Sequence, residues 1–133
     1  MLRGRMASGL LMAVLVSACA GRADAPAHHG DRTSILTVLC ASQRAAASGR
    51  LIEARTIFDD QVHESLHVLA ADGAVVDRAV SARLLEAKQV VEARFAQLDP
   101  VVADALGALV APVVDALGAI GATGPDGCEE QGE

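Results

Sequence analysis

Aromatic side chains are nearly absent from this 133-residue chain, which has no Trp, no Tyr and only Phe58 and Phe95. Two aromatic rings cannot form a platform on which nucleic-acid bases stack, and a net charge of −6 leaves no basic stripe to neutralise phosphates. The sequence also lacks Gly-x-Gly-x-x-Gly, the phosphate-binding loop and Gly-x-Ser-x-Gly. We therefore expect no nucleic-acid partner and none of the common nucleotide or acyl-transfer chemistries.

The apolar residues that are present are mainly aliphatic. Hydrophobic residues make up 52% of the chain, and alanine alone occurs 27 times. Alanine and leucine favour helices, whereas strands favour aromatic and β-branched side chains. The composition therefore predicts one small all-α domain.

The N-terminus has the order of charge and hydrophobicity that is typical of a secretory signal. Residues 1–5 contain two arginines and no acid, residues 6–16 are apolar and uncharged, and the small residues Ser17 and Ala18 lead into Cys19. An apolar stretch of this length is shorter than the ~20 residues that span a bilayer as a helix. We therefore expect a cleaved signal peptide.

The last residues of this signal, Leu15-Val16-Ser17-Ala18-Cys19, resemble the lipobox of bacterial lipoproteins. That resemblance implies that a diacylglyceryl group is attached to Cys19, which becomes the first residue of the mature chain. The alternative is an ordinary secreted protein cut after Ala18 or Ala20. The lipobox predicts a protein anchored to the cell membrane or the outer membrane and facing the extracytoplasmic side. We therefore divide the chain into a signal peptide (residues 1–18), a flexible tether (19–33), a helical domain (34–122) and an irregular tail (123–133).

Four helical patterns follow the tether. A small antiparallel four-helix bundle is the simplest architecture for them, with the fourth helix kinked or split at Pro112. Gly49, Ala54 and Phe58 also resemble half of a tetratricopeptide repeat, but a solenoid needs about three repeats. The predicted segments are 35–48 after the N-cap Ser34, 51–71, a third from the break at Asp72-Gly73 to residue 98, and 100–120 after the N-cap Asp99. In the third segment Lys88 falls outside the apolar stripe. In the fourth segment one apolar stripe contains Val102, Leu106, Leu109, Val113, Leu117 and Ile120.

Two cysteines remain once Cys19 is assigned to lipid. In an exported chain disulfides persist, and the tail after the fourth helix is long enough to reach the first helix. We therefore expect a disulfide between Cys40 and Cys128, with two unrelated thiols as the alternative. It would stabilise a small core, because no Cys-x-x-Cys redox spacing is present.

The most specific chemical motif is His63-Glu64-Ser65-Leu66-His67, which fits His-Glu-x-x-His on a helix. Spacing of four places two imidazoles on one helical face, and the intervening Glu can act as a general base, as in zinc metalloproteases. Those proteases resemble one another in holding substrate along a sheet edge, and no strand is predicted here. A minimal protease with Glu64 as base is therefore the least favoured hypothesis.

A simple metal site is better supported than proteolysis. Asp60 lies three residues before His63, so Asp60, His63 and His67 present one oxygen and two nitrogens, which suits Zn or Cu. A break at Asp72-Gly73 would place Glu92 about 15 Å from His63 along the helix axis, and it would place Arg78, a poor neighbour for a cation, level with His67. The competing interpretation is that both histidines are half-exposed residues beside the apolar stripe. His28-His29 in the tether is a weaker second metal motif.

The sequence thus favours a non-enzymatic, lipid-anchored helical module without a cofactor, which binds an unidentified envelope protein or ligand. The alternative is a protein that binds a divalent transition metal through the His63/His67 pair.

Overall fold

The computed structural model describes residue 32, residues 34–122 and residues 124–128, and this part of the chain forms helices without any strand. The predicted all-α bundle is confirmed. One helix is formed by α2, a π-helical turn and α3 in direct succession, so the described part has four helices. Cys19, His28 and His29 lie outside the described residues. The elements are α1 (Ser34–Ala47), α2 (Leu51–Ile57), the π turn (Phe58–Val62), α3 (His63–Val76), α4 (Arg78–Ala96) and α5 (Val102–Ala119).

Three helices end in the same backbone motif, in which one residue adopts a positive φ. After α1 this residue is Gly49, with φ +78°, and after α5 it is Gly121, with φ +72°. The amide of the next residue then donates to a carbonyl five positions back, as in Arg50 to Ala45. After α4 the same position holds Leu98, with φ +49°. Leu98 therefore adopts a backbone conformation that favours glycine.

The predicted break at Asp72-Gly73 is wrong, because α3 continues through both residues to Val76. The chain turns at Asp77, whose extended backbone (φ −148°, ψ 105°) separates α3 from α4. Its carboxylate caps α4 by accepting hydrogen bonds from the amides of Ala79 and Val80, at 2.9 and 3.3 Å. The helix boundary thus depends on an N-cap aspartate rather than on the Asp-Gly pair.

The helix α5 continues without interruption through Pro112, so the predicted split is absent. Asp99 accepts a hydrogen bond from the amide of Val101 at 2.9 Å in the turn that precedes this helix, and the helix begins at Val102 rather than at the predicted residue 100. By length and composition alone α5 would also suit a membrane span, with a mean hydropathy of 1.6, but a core helix passes the same test. Its predicted apolar stripe faces the core, with buried side chains at Val102, Leu106, Leu109, Val113 and Leu117.

The core lies between these helices, with α1 packed on α2 and α5, and α4 packed on α3 and α5. Its two aromatic rings, Phe58 and Phe95, contact each other with centroids 5.6 Å apart. Two buried serines join neighbouring helices. Ser42 donates to the carbonyl of Ala54 at 2.8 Å, and Ser81 donates to the carbonyl of Ala70 at 2.7 Å. These bonds satisfy hydroxyl groups that would otherwise be costly to bury.

A disulfide between Cys40 and Cys128 is present in the structure, with the two Cα atoms 5.3 Å apart. Cys40 is completely buried in α1, whereas Cys128 belongs to the irregular segment 124–128 that follows α5. The tail therefore returns to the bundle and is tied to the first helix.

Candidate functional site

The site lies on the hairpin of α3 and α4, whose pairing is set by the turn at Asp77. Near the turn, Ser81 contacts Ala70, and farther away His63 contacts Glu92. The Nδ1 atom of His63 lies 2.8 Å from Oε1 of Glu92. The expected separation of about 15 Å is wrong, because it was counted from Asp72-Gly73 instead of from Asp77.

The carboxylate of Glu92 contacts two different nitrogen atoms. Its Oε1 atom accepts a hydrogen bond from Nζ of Lys88, which lies 2.5 Å away, and it lies 2.8 Å from Nδ1 of His63, a contact that is an ion pair when the imidazole is protonated. Glu92 therefore lies between the lysine of its own helix and the histidine of α3.

Lys88 is the only lysine in the sequence, and it is 2% exposed. The amphipathic pattern of this segment placed Lys88 away from the apolar stripe, and that interpretation is wrong. Spacing of seven puts Ser81, Lys88 and Phe95 on the same face of α4, and all three are buried. The lysine stem packs in the hairpin while its ammonium reaches the carboxylate of Glu92 at the edge. The spacing of seven residues from Ser81 and from Phe95 is the sequence signal from which the burial of Lys88 could have been predicted.

His67 lies one turn after His63 on α3. The two ring centroids are 5.0 Å apart, and the rings meet edge to face at 67°. His67 is exposed and the His63 side chain is 37% exposed, so solvent reaches both rings. They line a shallow cleft of about 260 Å³ together with Leu85, Lys88, Gln89 and Glu92.

Asp60 does not join the histidines. It is an exposed residue of the π turn, in which the amide of His63 donates to the carbonyl of Phe58, five residues back. A π turn takes in an extra residue, so the α-helical relation between positions 60 and 63 no longer holds. Among the described residues no group of three His, Cys, Asp or Glu side chains converges on one point. The predicted ligand set of Asp60, His63 and His67 is therefore reduced to the two histidines.

Glu64, the base of the protease hypothesis, is exposed on α3. A catalytic zinc of this class needs three protein ligands and keeps one coordination position for water. The described part of the chain provides two imidazoles next to Glu64, and it forms no strand along which a peptide could lie.

The chain matches no protein-family model, no curated protein and no solved structure.

Proposed function

We propose that this protein is a lipid-anchored extracytoplasmic module that acts by binding a partner or ligand rather than by catalysis. The single observation that carries the anchor is the position of Cys19, directly after an apolar segment and two small residues. The disulfide between Cys40 and Cys128 supports the same compartment, since disulfides persist outside the reducing cytoplasm.

Charge supports attachment through lipid alone. Cleavage before Cys19 removes two arginines, so the net charge goes from −6 to −8. An acidic domain has no Lys/Arg cluster with which to bind anionic headgroups. Buried acyl chains contribute about 0.8 kcal/mol per methylene, so two or three chains hold the protein at the membrane or the outer membrane.

The cleft between α3 and α4 is the binding site that we favour. It brings two imidazoles, a carboxylate and an amide side chain to the surface of a helical hairpin. The ion pair between the buried Lys88 and the one-third exposed Glu92 forms part of its lining. Convergent polar groups on rigid helices are typical of binding sites.

A second candidate function is binding of a divalent transition metal through His63 and His67. The specific observation in its favour is the 2.8 Å contact between Nδ1 of His63 and Oε1 of Glu92, because metal-binding histidines are commonly oriented by a carboxylate next to their other ring nitrogen. Proteolysis with Glu64 as base is the least supported of the three functions.

The anchor is tested by membrane fractionation of Cys19→Ser in the native host. We expect this variant to leave the membrane fraction or to accumulate as an uncleaved precursor. The matched control is Cys40→Ser with Cys128→Ser, which changes the other two cysteines and keeps the lipidation site, so it should stay membrane-bound. Normal cleavage and unchanged fractionation of Cys19→Ser would refute the lipid anchor.

A further inference from the structure

We infer that His63 and His67 form a two-nitrogen site for Cu(II), in which Glu92 is the positioning residue for His63 and Asp60 takes no part. This inference rests on the second candidate function for its class of ligand. It revises the ligand set that the sequence predicts and names the metal. It does not depend on the lipid anchor.

The separation of the rings fits a shared metal ion. Two imidazoles that bind one ion through nitrogens at ~2.0–2.1 Å, with bond angles near 90–109°, have centroids about 4.5–5.2 Å apart. The rings of His63 and His67 are 5.0 Å apart. The separation of the two rings therefore already lies within the range that a shared metal ion requires.

The contact with Glu92 positions one of these ligands. Nδ1 of His63 lies 2.8 Å from Oε1 of Glu92. In metal sites a carboxylate next to the other ring nitrogen commonly orients the histidine. Among the described residues His67 has no carboxylate at ion-pair distance, so it is the adaptable ligand.

Charge in the cleft permits a cation. The sequence-based register placed Arg78 level with His67, which would repel a metal ion. In the structure the cation next to the histidines is Lys88, and its ammonium is paired with Glu92 and almost fully buried. The positive charge of Lys88 in the cleft is therefore compensated by Glu92.

The small number of ligands selects the metal. Two imidazoles leave the other coordination positions to water, so binding is weak for most divalent ions. Affinity for such sites rises through Ni(II) to Cu(II) and falls again at Zn(II). Tetragonal Cu(II) also accepts two nitrogens and two water oxygens in one plane, which the side-by-side histidines allow.

The experiment is a titration of the untagged chain from residue 20 with CuCl₂, NiCl₂ or ZnCl₂, followed by calorimetry and, for copper, by electron paramagnetic resonance. The starting protein carries His28→Gln and His29→Gln, so that the tether contributes no imidazole. We expect one Cu(II) per chain with a two-nitrogen signature, and weaker binding of Ni(II) and Zn(II). His67→Gln should abolish the stoichiometric binding.

Two further variants separate the proposed roles. Glu92→Gln should weaken Cu(II) binding about ten- to a hundredfold while both nitrogens still coordinate, which a purely structural role would not produce. Asp60→Asn is the matched control on the same helix and should bind Cu(II) like the starting protein. Because Glu92→Gln leaves Lys88 without its charged partner, the double variant Lys88→Met with Glu92→Gln repeats the test with the cation removed.

Three results would overturn the inference. Loss of binding in Asp60→Asn would restore the three-ligand site, and unchanged affinity in both Glu92 variants would remove the positioning role. Absence of stoichiometric Cu(II) binding in the folded starting protein, with helicity verified by circular dichroism, would remove the site altogether. None of these results alters membrane fractionation, so failure of the metal site and failure of the anchor are distinguishable.

Discussion

Lys88 and Glu92 form an ion pair within one turn of α4. Lys88 is the only lysine in the sequence, and its side chain is almost completely buried, whereas the side chain of Glu92 is one-third exposed. The same carboxylate oxygen holds His63 on the neighbouring helix. Replacing Glu92 therefore leaves a buried ammonium group without a partner, whereas replacing Lys88 leaves a carboxylate that solvent can reach.

Glu92→Gln should destabilise the protein by about 1–3 kcal/mol, because it leaves a buried ammonium without a counter-charge. Lys88→Met should change stability by less than about 1 kcal/mol, because an apolar chain of similar shape fills the hairpin and Glu92 can be solvated. Urea unfolding followed by circular dichroism measures both, since the chain has no Trp or Tyr. Equal losses in the two variants would contradict the asymmetry.

Gly73 and Gly49 should respond to the same substitution with opposite signs. Gly73 lies inside α3 with no neighbouring atom within 4 Å of an added Cβ, so Gly73→Ala should stabilise the protein by about 0.5–1 kcal/mol. Gly49 also has free space around it, but its φ is +78°, so Gly49→Ala should destabilise by about 1 kcal/mol. Thermal unfolding of the two variants side by side checks this, and a loss of stability in Gly73→Ala would refute the continuous helix.

Asp99 should make the protein less stable in acid. The amide of Val101 donates to its carboxylate and lowers the pKa of Asp99, and this effect together with Arg94 outweighs the opposing effect of burial. A lowered folded-state pKa means that the stabilisation is complete above the unfolded value of ~3.9 and is lost as the pH falls through the lower folded value. Urea midpoints of wild type and Asp99→Asn should therefore differ at pH 6 and converge toward pH 2. A constant difference over this range would mean that the charge of Asp99 plays no part.

The disulfide should account for a large share of stability. Closure of a loop between positions separated by 88 residues stabilises by about 2–4 kcal/mol, mainly by restricting the unfolded chain. The double variant Cys40→Ser with Cys128→Ser should lose that amount while keeping its helicity at 25 °C. The native exported domain should also contain no thiol that reacts with iodoacetamide before reduction, and two alkylated cysteines in that domain would contradict the pairing.

The sequence predicts the helices well where a local signal coincides with the boundary. Gly49 is such a residue, and the fourth apolar stripe is buried as expected. Asp72-Gly73 misled the prediction because Asp-Gly is common in turns, whereas packing of α3 keeps both residues helical. Moving the boundary from Asp72-Gly73 to Asp77 changes which residues of α3 and α4 face each other along the whole hairpin. The partnership of His63 with Glu92 therefore could not be read from the sequence.

The π turn and the burial of Lys88 could not be predicted from the sequence for a different reason. The π turn at Phe58–Val62 has no sequence signature, yet it separates Asp60 from the histidines. Lys88 was interpreted as a surface residue because hydrophobic periodicity counts apolar side chains only. A long lysine that buries its stem and pairs its ammonium is consistent with a core position, but its partner is visible only in three dimensions.

The link between Cys40 and Cys128 also determines what a protease can remove from the protein. Residues 41–127 form a covalently closed ring with these two cysteines, and the ring contains α2, α3, α4 and α5. A single cut anywhere in that ring leaves both fragments attached to α1, and hence to whatever holds the N-terminus. Shedding of the bundle into the surrounding medium requires cleavage before Cys40, a second cut within the ring, or reduction of the disulfide. With the lipid anchor that we propose, a nicked molecule would thus keep its bundle at the membrane.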